Sequence, residues 1–271
     1  MYLPNSRCQE NKQMIMEEKL KAFGRLLDIM DQLREQCPWD REQTFESLRN
    51  LTIEETYELA DAILKNDKED IKKELGDLLL HIVFYARIAS ETDSFNIKDV
   101  IDTLCEKLIF RHPHVFGNVD VKNNSETVKE NWEELKQKEG NKSVLQGVPD
   151  SLPALIKAHR IQDKVRAVGF DWDEREQIWD KVKEELDELK VEVQKENAEN
   201  MEKEFGDLFF SLVNAARLYN IEPETALERT NLKFIKRFNY LEEHTFGKGK
   251  SLKKMNLDEM NEIWEEAKKF D

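Results

Sequence analysis

Apolar residues along this chain fall at three- and four-residue intervals, the period of one helix face. Residues 14–36 place Leu20, Phe23, Leu26, Leu27 and Met30 on a single stripe. The stripe stops at CPWD (37–40), because Pro38 disfavours helix in the residue before it. The spacing predicts a second helix over 44–65, capped near Thr44 or Ser47. A third follows over 67–91, with Asp67 as N-cap and Glu69 and Asp70 at the positive end of the dipole. Helices over 97–111 and 125–139 come next, separated by a turn at RHPHVFG (111–117). The segment EGNKSVLQGVPDSLP (139–153) carries two glycines and two prolines, as a linker does. Beyond it the pattern predicts helices at 153–168, 175–197, 199–220, 223–243 and 257–270. No run of alternating Val, Ile or Thr supports a sheet. The expected class is all-α: two helical-bundle domains, 14–138 and 154–271, joined by 139–153.

The second half repeats the first. EETYE at 54–58 matches EELDE at 184–188, and KELGDLL at 73–79 matches KEFGDLF at 203–209, both at an offset of 130. The apolar continuations HIVFYARI and FSLVNAARL align as well, with Arg87 against Arg217. CPWD matches the end of GFDWD, and NWEELK (131–136) matches the WEEAKK beginning at Trp264. Each copy also carries a glycine inside a helix, Gly76 and Gly206. Glycine there costs roughly 0.8–1 kcal/mol relative to alanine, which points to a close helix approach.

Composition narrows the function classes. Hydrophobic residues are 39% and charged residues 37% of the 271, but the apolar ones are clustered, which argues against disorder. A net charge of −15 argues against nucleic-acid binding, which needs a basic surface. The three cysteines, Cys8, Cys37 and Cys105, form no CxxC pattern and no disulfide framework, so a reducing cytoplasm is expected. The first residues show no apolar leader segment. The longest apolar stretch, Leu78 to Ala89, contains His81 and Arg87 and is too short to span a bilayer.

The acidic repeats carry the chemistry. Glu185 and Glu188 are three apart on one helix, and Glu204 and Asp207 three apart on the next, so each pair shares a face. If the two helices form an antiparallel hairpin, four carboxylates converge. Such a set repels itself unless a cation is present, and an all-oxygen site suits Mg²⁺ or Mn²⁺. The first copy offers Glu55, Glu58, Glu74 and Asp77. A single EExxE is more often a solvated helix face than a site. Here the whole arrangement recurs at the edge of an apolar stripe. A di-iron bundle needs two ExxH motifs, and no histidine lies three after a glutamate. His112 and His114 fit a structural turn better than a metal site.

EExxE followed by ExxD, the CPWD lead-in, RHPHVF and GFDW together resemble the MazG family of nucleoside triphosphate pyrophosphohydrolases, within the all-α NTP pyrophosphatase superfamily. The similarity covers roughly residues 20–270. It implies a Mg²⁺-dependent homodimeric hydrolase that cleaves nucleoside triphosphates between the α- and β-phosphates. It places metal ligands on Glu185, Glu188, Glu204 and Asp207. Nucleotide contacts fall on Lys181, Lys233, Arg237 and Trp264, with Lys136 as a further one. The residues agree with this chemistry. Lys233 and Arg237 share a helix face and can neutralise phosphate. Trp264 offers a ring for base stacking. Glu184 is positioned to orient or deprotonate the attacking water.

Both halves keep the carboxylates, but Leu51 stands where the second half has Lys181. Two-domain members of the family rely mainly on the C-terminal domain, so the second half is the expected catalytic one. Two rival readings remain at this point: a dUTP- or dCTP-specific hydrolase of the same superfamily, and a non-catalytic helical scaffold.

Overall fold

The computed structural model describes residues 6–119, 128, 135, 143–247 and 251–270. Among these, every regular element is helical and there is no strand. The chain divides into two compact units, Met1–Val119 and Asp120–Asp271. The division falls before the expected linker at 139–153. Residues 143–150 are tied to the second unit: Lys164 Nζ donates to the carbonyls of Val144 and Gln146, and Lys157 Nζ to that of Asp150. The expected helix at 125–139, and Lys136 within it, lie outside the described residues.

The first unit contains α1 (Ser6–Gln36), α2 (Pro38–Glu42), α3 (Phe45–Lys65), α4 (Lys68–Ser90), α5 (Ile97–Arg111) and α6 (Pro113–Phe116). The α3 N-terminus is a capping box in which the Thr44 side chain accepts from the Ser47 amide and the Ser47 hydroxyl accepts from the Thr44 amide. Asp67 caps α4 by accepting from the amides of Glu69 and Asp70. Both caps fall where the sequence puts them. RHPHVFG is a short helix after His112 rather than an open turn. The α3–α4 hairpin packs with α1 and α5 around buried Met30, Leu48, Val83 and Phe84.

The second unit contains α7 (Ala154–Arg166), α8 (Ile178–Gln194), α9 (Ala198–Leu218), α10 (Pro223–Phe246) and α11 (Leu257–Ala267), with short 3₁₀ turns at 175–177, 252–254 and 268–270. The α8–α9 hairpin repeats α3–α4. Helix α7 packs on α9 and α10, and α11 folds back on α10. Both hairpins turn through a residue with left-handed backbone, Asn66 (φ 54°) in the first and Glu196 (φ 53°) in the second. The residue after each is the N-cap of the following helix, Asp67 and Asn197.

The glycines depart from expectation. A Cβ added at Gly76 or Gly206 would meet nothing within 4 Å. These positions therefore do not mark a close helix contact within a unit; they leave open space on the helix face beside the acidic residues.

Candidate active site

Hairpin geometry explains how distant acidic residues meet. Within α8, Glu185 and Glu188 lie on one face; α9 returns antiparallel and brings Glu204 opposite. One carboxylate oxygen from each of Glu185, Glu188 and Glu204 lies within 4.8 Å of the others, and Glu55, Glu58 and Glu74 make the same group on α3 and α4. Asp77 and Asp207 are not part of these three-oxygen groups. They stand close enough to push up the pKa values of Glu55 and Glu204, respectively.

The electrostatics match crowded, partly dehydrated carboxylates. Burial is the first cause that raises Glu204, followed by the charges of Glu188, Asp207 and Glu185. Burial also leads for Glu55, followed by Asp77, Glu58 and Glu74. Each unit sets one lysine against its cluster, from a different position. In the first, Lys73 Nζ lies 2.7 Å from Glu74 Oε1, and this hydrogen bond is the main reason Glu74 is lowered. In the second, Lys181 Nζ lies 2.7 Å from Glu185 and 3.1 Å from Glu184, and both bonds raise the lysine.

These residues fit a hard divalent cation. The donors are all carboxylate oxygens, as Mg²⁺ or Mn²⁺ prefers. At matching repeat positions, Glu74 Oε2 and Glu204 Oε2 are buried with no hydrogen-bond partner. A buried carboxylate oxygen without a donor is costly unless a cation satisfies it.

Beside the second cluster lies a cavity of about 540 Å³, whose lining includes Lys181, Glu185 and Asp207. Much of the lining is apolar and aromatic, with Val165, Phe170, Trp172 and Ile178. Its polar wall is built by Gln162, Ser211, Asn214 and an Arg217–Asp171 ion pair. Sequence reasoning missed this wall. These polar residues sit singly inside amphipathic helices or in the GFDWD loop, where periodicity assigns them no role.

Lys233, Arg237 and Trp264 gather elsewhere, on the α10–α11 pair. Arg237 lies over the Trp264 ring at 5.6 Å from its centroid, and Phe234 packs against the same ring at 5.0 Å. None of the three lines the cavity. Glu184 is exposed and held by Lys181, on the solvent side of Glu185.

Comparison with known proteins bears on both units. A family model described as the MazG nucleotide pyrophosphohydrolase domain matches twice, at residues 43–116 and 174–241. The chain is 44% identical over 258 residues to a Thermotoga maritima protein named nucleoside triphosphate pyrophosphohydrolase/pyrophosphatase MazG, covering 93% of this chain and 98% of that one. It is 41% identical over 259 residues to the nucleoside triphosphate pyrophosphohydrolase of Escherichia coli K12, covering 92% and 98%. A crystal structure of a mazG-related protein from Thermotoga maritima aligns at 28% identity and a TM-score of 0.38, over 42% of this chain and 98% of that one.

Proposed function

Because this chain belongs to the MazG nucleotide pyrophosphohydrolase family, we propose that its second unit hydrolyses nucleoside triphosphates between the α- and β-phosphates, releasing a nucleoside monophosphate and pyrophosphate. The observation that carries this reading is the α8–α9 carboxylate group opening onto a cavity of about 540 Å³. That volume lies within the range of small-molecule sites.

Glu185, Glu188 and Glu204 would hold Mg²⁺, with Mn²⁺ as a substitute and Asp207 completing the set. The cation would supply charge neutralisation on the triphosphate and acidification of water. The protein's own groups do the rest. Lys181, now shared by Glu184 and Glu185, is within reach to exchange one carboxylate for a phosphate oxygen. Glu184, released by that exchange, accepts the proton of the attacking water. Lys233 and Arg237 add positive charge for the departing pyrophosphate, Arg237 through its fork of donors. Lys136 and Trp264 stand as further nucleotide contacts.

Two features support a homodimer. Leu75, Leu79 and Ile82 on α4 form an exposed row, and the matching Phe205, Phe209 and Leu212 form another on α9. Repeated apolar rows beside a polar site suit burial against a second copy. Lys233, Arg237 and Trp264 stand apart from the cavity of their own unit, which suits a site completed by a partner. The described helices include none long and apolar enough to cross a membrane. The nucleotide substrate and the free thiols of Cys37 and Cys105 suit the cytoplasm.

The test is pyrophosphate release from a panel of ribo- and deoxynucleoside triphosphates, with and without Mg²⁺. Metal-dependent release is expected. Release of orthophosphate instead, or equal turnover in excess chelator, would sink the reading. Light scattering should give twice the chain mass; a monomer would remove the dimer.

A further inference from the structure

The polar wall of the cavity is organised in a way the proposed chemistry does not need. Gln162 is 3% exposed, and its Nε2 donates to the carbonyl of Phe210 at 2.8 Å. A carbonyl only accepts, so this bond fixes which way the amide faces. Gln162 Oε1 is then a buried acceptor without a donor. One residue beyond Phe210, Ser211 spends its only hydroxyl proton on the carbonyl of Leu208 at 2.9 Å. It therefore also presents only lone pairs to the cavity it lines. Two acceptors, carried by packed helices α7 and α9, thus line one cavity, and one of them is a deeply buried orphan.

The cation on that wall is already paired. Arg217 is 8% exposed, its guanidinium is forked onto Asp171, and two of its three other N–H groups go to Asn214 Oδ1 at 2.7 and 3.0 Å. The two charges offset each other, which makes this end a poor place for phosphate. An uncharged, flat and partly apolar group suits this chamber, with Phe170 and Trp172 on its wall for stacking. The triphosphate belongs at the other end, where Lys181 and the carboxylates line the same cavity.

We infer that this chamber receives the nucleobase, and that Gln162 and Ser211 read an exocyclic amino group. The inference rests on the pyrophosphohydrolase reading of the site. An amino group offers two N–H donors to two acceptors, as in cytosine and adenine. Uracil and thymine present a carbonyl oxygen at that position, which leaves Gln162 Oε1 unpaired and faces lone pairs with lone pairs. Sites built to hydrogen-bond a substrate discriminate strongly against analogues that leave a buried group unpaired. Gln162, Phe170 and Trp172 precede the family-matched segment 174–241, and Ser211 lies within it, so this selectivity draws on residues from both sides of that boundary.

The experiment measures kcat/KM for two isosteric pairs, CTP against UTP and ATP against ITP, in the full chain with Mg²⁺. The amino member of each pair should be favoured by about tenfold or more. Gln162→Met should bring both ratios towards one, and Ser211→Ala should lower them less. Thermal melts check that the variants fold, and calorimetry with cytidine and uridine reads the same preference without phosphates or turnover. Equal efficiency within each pair, or a keto preference, overturns the inference while leaving pyrophosphohydrolysis intact. So does a Gln162→Met variant that folds and loses both members of a pair equally. Failure of every triphosphate to release pyrophosphate would instead overturn the reading beneath it.

Discussion

At the positions where the second unit has Asn214 and Lys181, the first unit has Phe84 and Leu51, each 130 residues earlier. Phe84 is buried with Met30, Leu48 and Val83, and Leu51 packs against them. In the second unit Ile178, which matches Leu48, is as buried but faces a cavity instead of filling a core. Two cavities of the first unit, of about 150 and 290 Å³, include none of Glu55, Glu58, Glu74 or Asp77 in their walls. One hairpin thus carries carboxylates beside a chamber, and its copy carries them beside packed side chains. The two units share the acidic cluster and differ in what packs beside it.

The largest expected effect tests that asymmetry directly. Glu185→Gln should cut pyrophosphate release by about 10²–10³-fold, because it removes a carboxylate that would hold the cation neutralising the triphosphate. Glu55→Gln should leave most of the rate. Loss of turnover on Glu55→Gln alone would reverse the assignment of the two units.

Lys181→Leu makes the second unit resemble the first at that position. Losing a charged hydrogen bond to substrate, worth about 1.5–3 kcal/mol, should lower kcat/KM by roughly ten- to a hundredfold. An unchanged value would leave Lys181 as a simple partner of Glu185. Asn214→Phe carries the first unit's residue into the chamber. Steady-state kinetics should show KM raised by about tenfold, in line with an overpacking cost of about 1–3 kcal/mol. If KM holds, the chamber is not where substrate sits.

The smallest effect concerns how each unit anchors its repeated arginine. Arg87 meets Asp31 at 2.6 Å and Glu91 at 3.3 Å, where Arg217 meets Asp171. Glu91 also pairs with Arg34, and that hydrogen bond is the first cause holding the Glu91 carboxyl below its ordinary value. A depressed carboxylate contributes stability above its unfolded pKa and loses it as pH falls through the folded value. Glu91→Gln should therefore flatten the acid limb of stability in urea melts, by at most about 1 kcal/mol because the pair is partly exposed. An unchanged acid limb would remove Glu91 from the account.

Much of this was legible in sequence because helical period and carboxylate spacing are local signals. Thr44 and Asp67 announce their caps, and the spacing of Glu185 and Glu188 announces a shared face. The cavity wall was not legible. Gln162 and Ser211 are 49 residues apart and look like isolated polar interruptions until α7 packs on α9. Gly76 and Gly206 misled, since a helical glycine signals either close approach or open space and the spacing alone does not distinguish them. Lys233 and Arg237 lie on α10 and Trp264 on α11, but sequence carries no measure of their distance from the carboxylates.

The hairpin turns carry a consequence for how such a chain can change. Only three residues separate Gln194 from Ala198, and only two separate Lys65 from Lys68. Each link contains one left-handed residue followed by the helix N-cap. Adding or deleting one residue there would turn the following helix by about 100° relative to its partner. Glu204 would swing off the line of Glu185 and Glu188 with no acidic residue altered. Descendants of this chain are free to exchange the groups that choose a base, but the length of that short link is fixed by the angular phase between its two helices.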